Sequence, residues 1–455
     1  MAKKNVAELQ LDVLIARVKR VAAAVRAMLY VIVSLVLLPT PCLAADDGYN
    51  YPIADSFEAT ILGTVADLQP KLPKELRTRQ LILDAIPARK KPPIFFYDDG
   101  LHCTLAYQKH KAPLIFLIPG SGSSNLAPKL QTMMKTLYQA GYHVITLPSP
   151  THPNFIISAS QSQVPGDLTE DATDLYRAME TVWNEVKGDI EVSGFYLAGY
   201  SLGGTQAAFV ARLDEERKVF NFHKVLMINP SVNLYTSVKR IEDLLQHIPG
   251  GPEKLGVFFN RMLAKFTGFY RYGNFIAFND DFLYAAFEEH ILTHEEEGGL
   301  IGLTYRINSA GMIFTSDVLT RSGYVVPKNR VLAASDSIYD YFQVCTHLSF
   351  FNYVNEYLYP YFRKKSPGLT REAFIDSQGI KNIEGYLKSS VKFGVMTNED
   401  DLILSPADLR YIRELFAERA KIYPRGGHLG NLEYKDNLAY MVGFFNDNGL
   451  EGGGK

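Results

Sequence analysis

The chain has 455 residues, 47% hydrophobic and 21% charged, with 47 basic against 49 acidic side chains and a formal net charge of −2. This is the composition of a soluble globular protein, and a balance so near neutral removes the electrostatic basis for nucleic acid or an anionic surface as partner. The length allows two or three ordinary domains, or one large domain carrying an insertion.

Residues 1–44 read as an export leader. Lys3, Lys4, Arg17, Lys19, Arg20 and Arg26 form a basic start, and Ala27 to Leu38 is an uncharged apolar run. Pro39 and Pro41 then break the helix, and Cys42-Leu43-Ala44 places small residues at the −3 and −1 positions of a cut after Ala44. Twelve helical residues span about 18 Å against a hydrocarbon core of roughly 30 Å, which disfavours a permanent anchor. The alternative is an uncut leader that holds the protein at a membrane. Either version places the rest of the chain outside the cytoplasm, in the periplasm or the medium.

Residues 45–92 read as an N-terminal extension, with one amphipathic helix over Leu72 to Ile86 and a basic, Pro-rich linker from Arg89 to Pro93. An α/β alternation starts near residue 93. Ile94 to Tyr97 and His102 to Tyr107 read as a strand pair around Asp98-Asp99-Gly100. Leu114 to Ile118 is a near-continuous apolar run, the pattern of a strand buried on both faces of a parallel sheet. It ends in Pro119-Gly120-Ser121-Gly122-Ser123. A helix follows (Leu126 to Ala140), then a strand (His143 to Leu147), then a helix opened by the capping pattern Asp167-Leu168-Thr169-Glu170.

Gly194 to Gly204 is the stretch on which the chain turns. A short apolar strand runs into Gly199-Tyr200-Ser201-Leu202-Gly203 and on into a helix of small residues. Such a strand-to-helix turn needs glycine on both sides of the serine, because the backbone passes too close for a side chain. It would lift the Ser201 hydroxyl above the sheet edge and present the N–H groups of the helix start to an oxyanion. By itself Gly-x-Ser-x-Gly is a weak motif; its strand-helix setting is what strengthens it.

After the strand Val225 to Ile228 the alternation stops. Residues 233–390 are helical in pattern and crowded with aromatics, over 258–287 and again over 339–362. About 160 residues between strands are too many for an unstructured loop, so a helical cap is expected, with a cleft below it, Ser201 at its floor and Phe or Tyr on its walls. The α/β pattern resumes over 391–455. Val391 to Met396 leads to Asn398-Glu399-Asp400-Asp401, Ser405 caps a helix with Pro406 at its first position, and the strand Lys421 to Tyr423 leads to Gly426-Gly427-His428-Leu429-Gly430. A closing helix covers Lys435 to Phe445.

A serine hydroxyl needs a base, and the base needs a third group to hold its tautomer. His428 and either Asp400 or Asp401 follow strands, so they should meet Ser201 at one sheet edge. Taken singly, His428 is a turn histidine among glycines and the two acids are helix-entry residues. His143, His152 and His347 read as structural or solvated. The three cysteines have no metal-ligand spacing; Cys103 and Cys345 either pair in an oxidising compartment or serve as small buried hydrophobes.

Over 93–232 and 391–455 the chain resembles the α/β-hydrolase superfamily, through Gly-Tyr-Ser-Leu-Gly-Gly, Asn-Glu-Asp-Asp-Leu-Ile-Leu and Gly-Gly-His-Leu-Gly in that order. The last two pieces are similar to those of the esterase-like branch that includes YheT-type hydrolases. The resemblance implies a mostly parallel sheet flanked by helices, with Ser201 as nucleophile and His428 as general base and acid. Asp401 would be the orienting acid, because the family's Asp-x-Ile-Val run is matched by Ile403 and Leu404. Asp400, with Leu402 and Ile403, is the alternative. The oxyanion hole would be the Leu202 N–H with one from the Gly120-Ser121-Gly122 loop. It further implies a serine hydrolase acting on an ester or thioester with no metal or organic cofactor; the leader would make it an exported one, and the aromatic cap favours a small-molecule or lipid-like substrate with an apolar acyl chain. A catalytically silent lipid- or protein-binding module and an exported peptidase or amidase are the alternatives.

Overall fold

The computed structural model describes residues 48–273, 287, 289 and 291–446, with side chains left aside over 268–273. The chain divides into two compact units, Met1–Tyr49 and Asn50–Lys455, and the sheet lies in the second. The leader expected over 1–44 lies outside the described residues. Among the described residues no helix is long and apolar enough to cross a membrane.

Eight strands form one sheet: β1 (Thr78–Leu83), β2 (Leu101–Ala106), β3 (Ala112–Ile118), β4 (His143–Thr146), β5 (Val192–Tyr200), β6 (Val225–Ile228), β7 (Phe393–Asn398) and β8 (Ala420–Tyr423). Their order is β1-β2-β4-β3-β5-β6-β7-β8. The β1–β2 and β2–β4 pairs are antiparallel and all others parallel. β3, β4, β6 and β7 are buried almost throughout, as their apolar runs require when both faces are covered.

The helices used below are α1 (Ser56–Leu62), α2 (Pro128–Gln139), α3 (Pro153–Ser158), α4 (Leu168–Val186), α5 (Leu202–Arg217), α6 (Leu234–Asp243), α7 (Leu255–Gly273), α8 (His294–Thr320), α9 (Tyr339–His347), α10 (Pro406–Phe416) and α11 (Lys435–Asn446). Their starts follow local chemistry. Asp167 accepts hydrogen bonds from the N–H groups of Thr169 and Glu170 at the head of α4. Ser405 and Asp408 form a reciprocal capping box on α10.

Two local expectations are corrected. Leu72 to Ile86 is not a helix: it contains β1, whose burial alternates, with Leu81 and Leu83 inward and Ile82 52% exposed. Leu81 pairs with Cys103 and Leu83 with Leu101, so the partner of β2 comes from the N-terminal side. Ile94 to Tyr97 is not a strand but continues a tight turn, Pro93–Phe95, in which Phe95 N–H donates to Pro92 O at 3.0 Å. The paired prolines preset the turn and remove strand donors.

Cys103 on β2 and Cys345 on α9 are both free and buried, so they do not form the disulfide the sequence allowed. Burial pushes the Cys345 thiol up to about 12. Both act as small hydrophobes.

Among the described residues the segment between β6 and β7 is helical, and most of its aromatics pack inward. Phe350, Tyr353, Tyr357 and Phe362 join the main core, while Phe258 and Phe287 join a smaller cluster with Leu245, Ile248 and Met262.

Candidate active site

β5 ends at Tyr200, and Ser201 stands alone between strand and helix with φ +55° and ψ −127°. This backbone is costly for a residue with a side chain and is held by its surroundings. Ser201 N–H donates to Ile228 O at 2.8 Å. A Cβ on Gly199 would fall 2.1 Å from Gly203 O, and one on Gly203 would fall 2.2 Å from Ile118 O. Both positions therefore require glycine, and the serine is locked in an outward pose.

The other two side chains arrive from beyond the ends of β7 and β8. His428 Nε2 lies 2.9 Å from Ser201 Oγ, and His428 Nδ1 lies 2.9 Å from Asp401 Oδ1. A carboxylate only accepts, so the proton of the neutral imidazole belongs on Nδ1 and the Nε2 lone pair faces the serine O–H. Asp401 is fully buried at its side chain and is aimed by three further donors. These are Asn229 Nδ2 at 2.8 Å, Ile403 N–H at 3.1 Å and Thr397 Oγ1 at 3.3 Å. Sequence reading passed over Asn229; its position at the end of β6 was the available signal.

Asp400 faces elsewhere. Its carboxylate accepts from Gly426 N–H at 3.1 Å and Gly427 N–H at 3.0 Å, so it holds the backbone of the histidine loop rather than the ring. Burial pushes its carboxyl up, against the lowering effect of those two amides. The alternative assignment of the orienting acid to Asp400 is thereby corrected.

Among the expected oxyanion donors, Leu202 N–H opens α5 and, among the described residues, donates to no other group. In the 120–122 loop, Gly122 N–H is occupied by Thr151 Oγ1 at 2.8 Å. Among the described residues neither Gly120 N–H nor Ser121 N–H donates to a protein acceptor. Leu202 N–H, with Ser121 N–H or Gly120 N–H from the loop, is thus the arrangement available to an oxyanion.

Over these groups lies an open cleft of about 960 Å³, mouth included. Its floor is Ser201, His428 and Ser121; its apolar walls are Leu234, Val238 and Ile241 of α6, Ile301 of α8, and Ile403. A smaller recess continues past Leu202 and Leu234 to Met312 and Phe350. The aromatic wall expected from 258–287 and 339–362 is present in part. Among the described residues Phe350, in the recess, is the one that comes from the two aromatic stretches, while Tyr305 of α8 and Tyr200 line the cleft beside the aliphatic side chains. Most of the other described aromatics pack into the two apolar clusters, while Tyr339 and Phe259 are exposed, and those over 268–286 lie outside the described side chains.

Of the remaining histidines, His143 accepts from Gln108 N–H and His152 caps α3, with burial lowering its ring to about 4. Neither reaches the cleft.

The sheet turns antiparallel only at β1 and β2, the serine follows β5 on a strained elbow, and acid and histidine follow β7 and β8 in the order Ser, Asp, His. The fold is that of the α/β-hydrolases. No family model matches the chain, and neither does any curated protein. Among solved structures it is similar to a thioesterase domain from the curacin biosynthetic pathway, at 14% identity over 81% of this chain and 99% of that one, with a TM-score of 0.35. It is also similar to esterase B from Lactobacillus rhamnosis, at 12% identity over 82% and 87% of the two chains, with a TM-score of 0.38. A third likeness is to an esterase from Pyrococcus furiosus, at 8% identity over 83% and 96%, with a TM-score of 0.39.

Proposed function

We propose that this α/β-hydrolase-fold chain is a serine hydrolase that transfers the acyl group of an ester or thioester to water. The observation that carries the reading is the unbroken line from Asp401 Oδ1 through His428 to Ser201 Oγ, with both steps at 2.9 Å. His428 Nε2 takes the Ser201 proton as Oγ bonds to the substrate carbonyl carbon, and the N–H of Leu202, with that of Ser121 or Gly120, receives the oxyanion. The same Nε2 then hands its proton to the departing alkoxide or thiolate as the carbonyl re-forms, leaving an acyl-serine. Water, deprotonated by His428, attacks that ester, and its collapse returns the proton to Ser201 and releases the acid. Asp401 keeps the imidazole in the Nδ1–H tautomer and offsets the positive charge that appears on it.

The largely apolar walls from α6 and α8, with Leu234, Val238, Ile241, Ile301 and Tyr305, favour an apolar acyl chain lying along the cleft toward the Met312 recess, and α6 and α8 act as the cap over the triad. The leader read over 1–44 supports action outside the cytoplasm. The decisive experiment is labelling by a fluorophosphonate together with turnover of p-nitrophenyl acyl esters. The wild type labels and turns over; Ser201→Ala does neither while keeping its melting temperature. Turnover in a well-folded Ser201→Ala variant would overturn the reading.

A further inference from the structure

The loop that carries His428 is held from outside the sheet. His428 N–H donates to Thr60 Oγ1 at 2.9 Å, and the same hydroxyl donates to Ser56 O at 2.6 Å. A Cβ on Gly427 would lie 2.3 Å from Ser56 O, and one on Gly430 would lie 2.1 Å from Ala59 O. The backbone of α1 thus rests directly on the backbone of the histidine loop, with no room for side chains between them. Thr64 Oγ1 donates to Gly430 O at 2.9 Å, and Arg425 Nε donates to Tyr51 O at 2.8 Å. The Tyr51 hydroxyl, buried, closes the segment on itself by donating to Gly63 O at 2.7 Å.

The loop needs such support. Gly427 has φ +54° and Leu429 φ +68°, so His428 sits between two left-handed residues, one of them not glycine. Its ring must nevertheless keep Nε2 in line with Ser201 Oγ, a geometry in which small displacements are expensive.

We propose that residues 51–64 form a strap that positions the catalytic histidine, with Thr60 as the positioning residue. This rests on the serine-hydrolase reading of Ser201, His428 and Asp401. Thr60 does not touch the reacting atoms. It acts by giving the His428 N–H its acceptor and by tying that acceptor to the first turn of α1. Valine in its place keeps the shape and removes the hydroxyl, so the amide loses its partner and the ring loses its fixed height over the serine.

The test compares Thr60→Val with Thr60→Ser in the full chain, using p-nitrophenyl ester kinetics, melting temperature and backbone hydrogen exchange over 425–430. For Thr60→Val, kcat should fall about tenfold or more, with KM and melting temperature near wild type. Exchange over 425–430 should rise while the rest of the chain is unchanged. Thr60→Ser, which keeps the hydroxyl, should retain most of kcat and the slow exchange. Unchanged kcat and exchange in Thr60→Val would overturn the strap, as would equal losses in both variants or a loss of kcat that merely tracks a lower melting temperature. If the wild type shows no turnover of any acyl ester, the hydrolase reading fails. The exchange data then judge the strap alone: a local rise in Thr60→Val supports it, and no rise overturns it.

Discussion

Asp401 Oδ1 stands 2.9 Å from His428 Nδ1, while its neighbour Asp400 turns away to bind the amides of Gly426 and Gly427. Two adjacent carboxylates therefore serve one histidine in different ways, one through its ring and one through its loop. Asp401→Asn should lower kcat on the order of 10⁴-fold, because an amide no longer selects the Nδ1–H tautomer. Asp400→Asn keeps an acceptor oxygen for one of the two amides and should cost about tenfold or less, with a lower melting temperature. Steady-state kinetics of both variants decide the ranking, and the reverse order would exchange the two roles.

Gly203→Ala should destabilise the fold rather than only the chemistry. Its Cβ would meet Ile118 O at 2.2 Å and Pro119 O at 2.4 Å, both backbone atoms that cannot rotate away. Overpacking of this kind costs about 1–3 kcal/mol, and here the elbow has no flexible neighbour to relieve it. Urea denaturation of the purified variant measures the loss; a wild-type midpoint would mean that the elbow is looser than the geometry implies.

Chain-length dependence follows from the apolar cleft. Each added CH₂ that leaves water should raise kcat/KM by up to roughly fourfold until the recess at Met312 is filled, after which the gain should stop. Leu234→Trp, at the junction of cleft and recess, should move that plateau to shorter esters. A series from acetyl to decanoyl p-nitrophenyl esters reports both effects. An acetyl preference would mean that the walls do not hold an acyl chain.

Glu297 on α8 supplies a pH test of stability. Burial raises its carboxyl to about 7, helped by the nearby carboxylates of Glu58 and Asp55 and opposed by His294. The folded state thus binds a proton more tightly than the unfolded chain, whose carboxyl sits near its ordinary value. That contribution is complete below about pH 4.5 and is lost as pH rises through about 7. Wild-type melting temperature should carry a downward slope between these values, and Glu297→Gln should flatten that part of it. Parallel melting curves for the two proteins would show that Glu297 titrates normally.

The elements that carry the chemistry were legible in the sequence because their signals are local. The elbow is written in Gly199, Ser201 and Gly203, whose spacing follows from backbone clearance within one turn. The α10 start is written in Ser405, Pro406 and Asp408, and the buried strand β3 in an uninterrupted apolar run. The order of serine, acid and histidine along the chain was likewise open to reading, since each follows a strand end. What failed was whatever depends on a distant partner. β1 shows as a strand only when Leu81 and Leu83 meet Cys103 and Leu101 across the sheet; without that pairing its leucines fit a helical period. The aromatics of 339–362 match a cleft wall and a core equally well, and only the packing of the helices against the sheet sent Tyr353 and Tyr357 inward. Asp400 and Asp401 differ by one position, and the turn after β7 alone decides which carboxylate faces the ring. Thr60 lies 368 positions from His428. Composition and periodicity carry no term for a hydrogen bond over that separation, so the tertiary structure alone brought the two together.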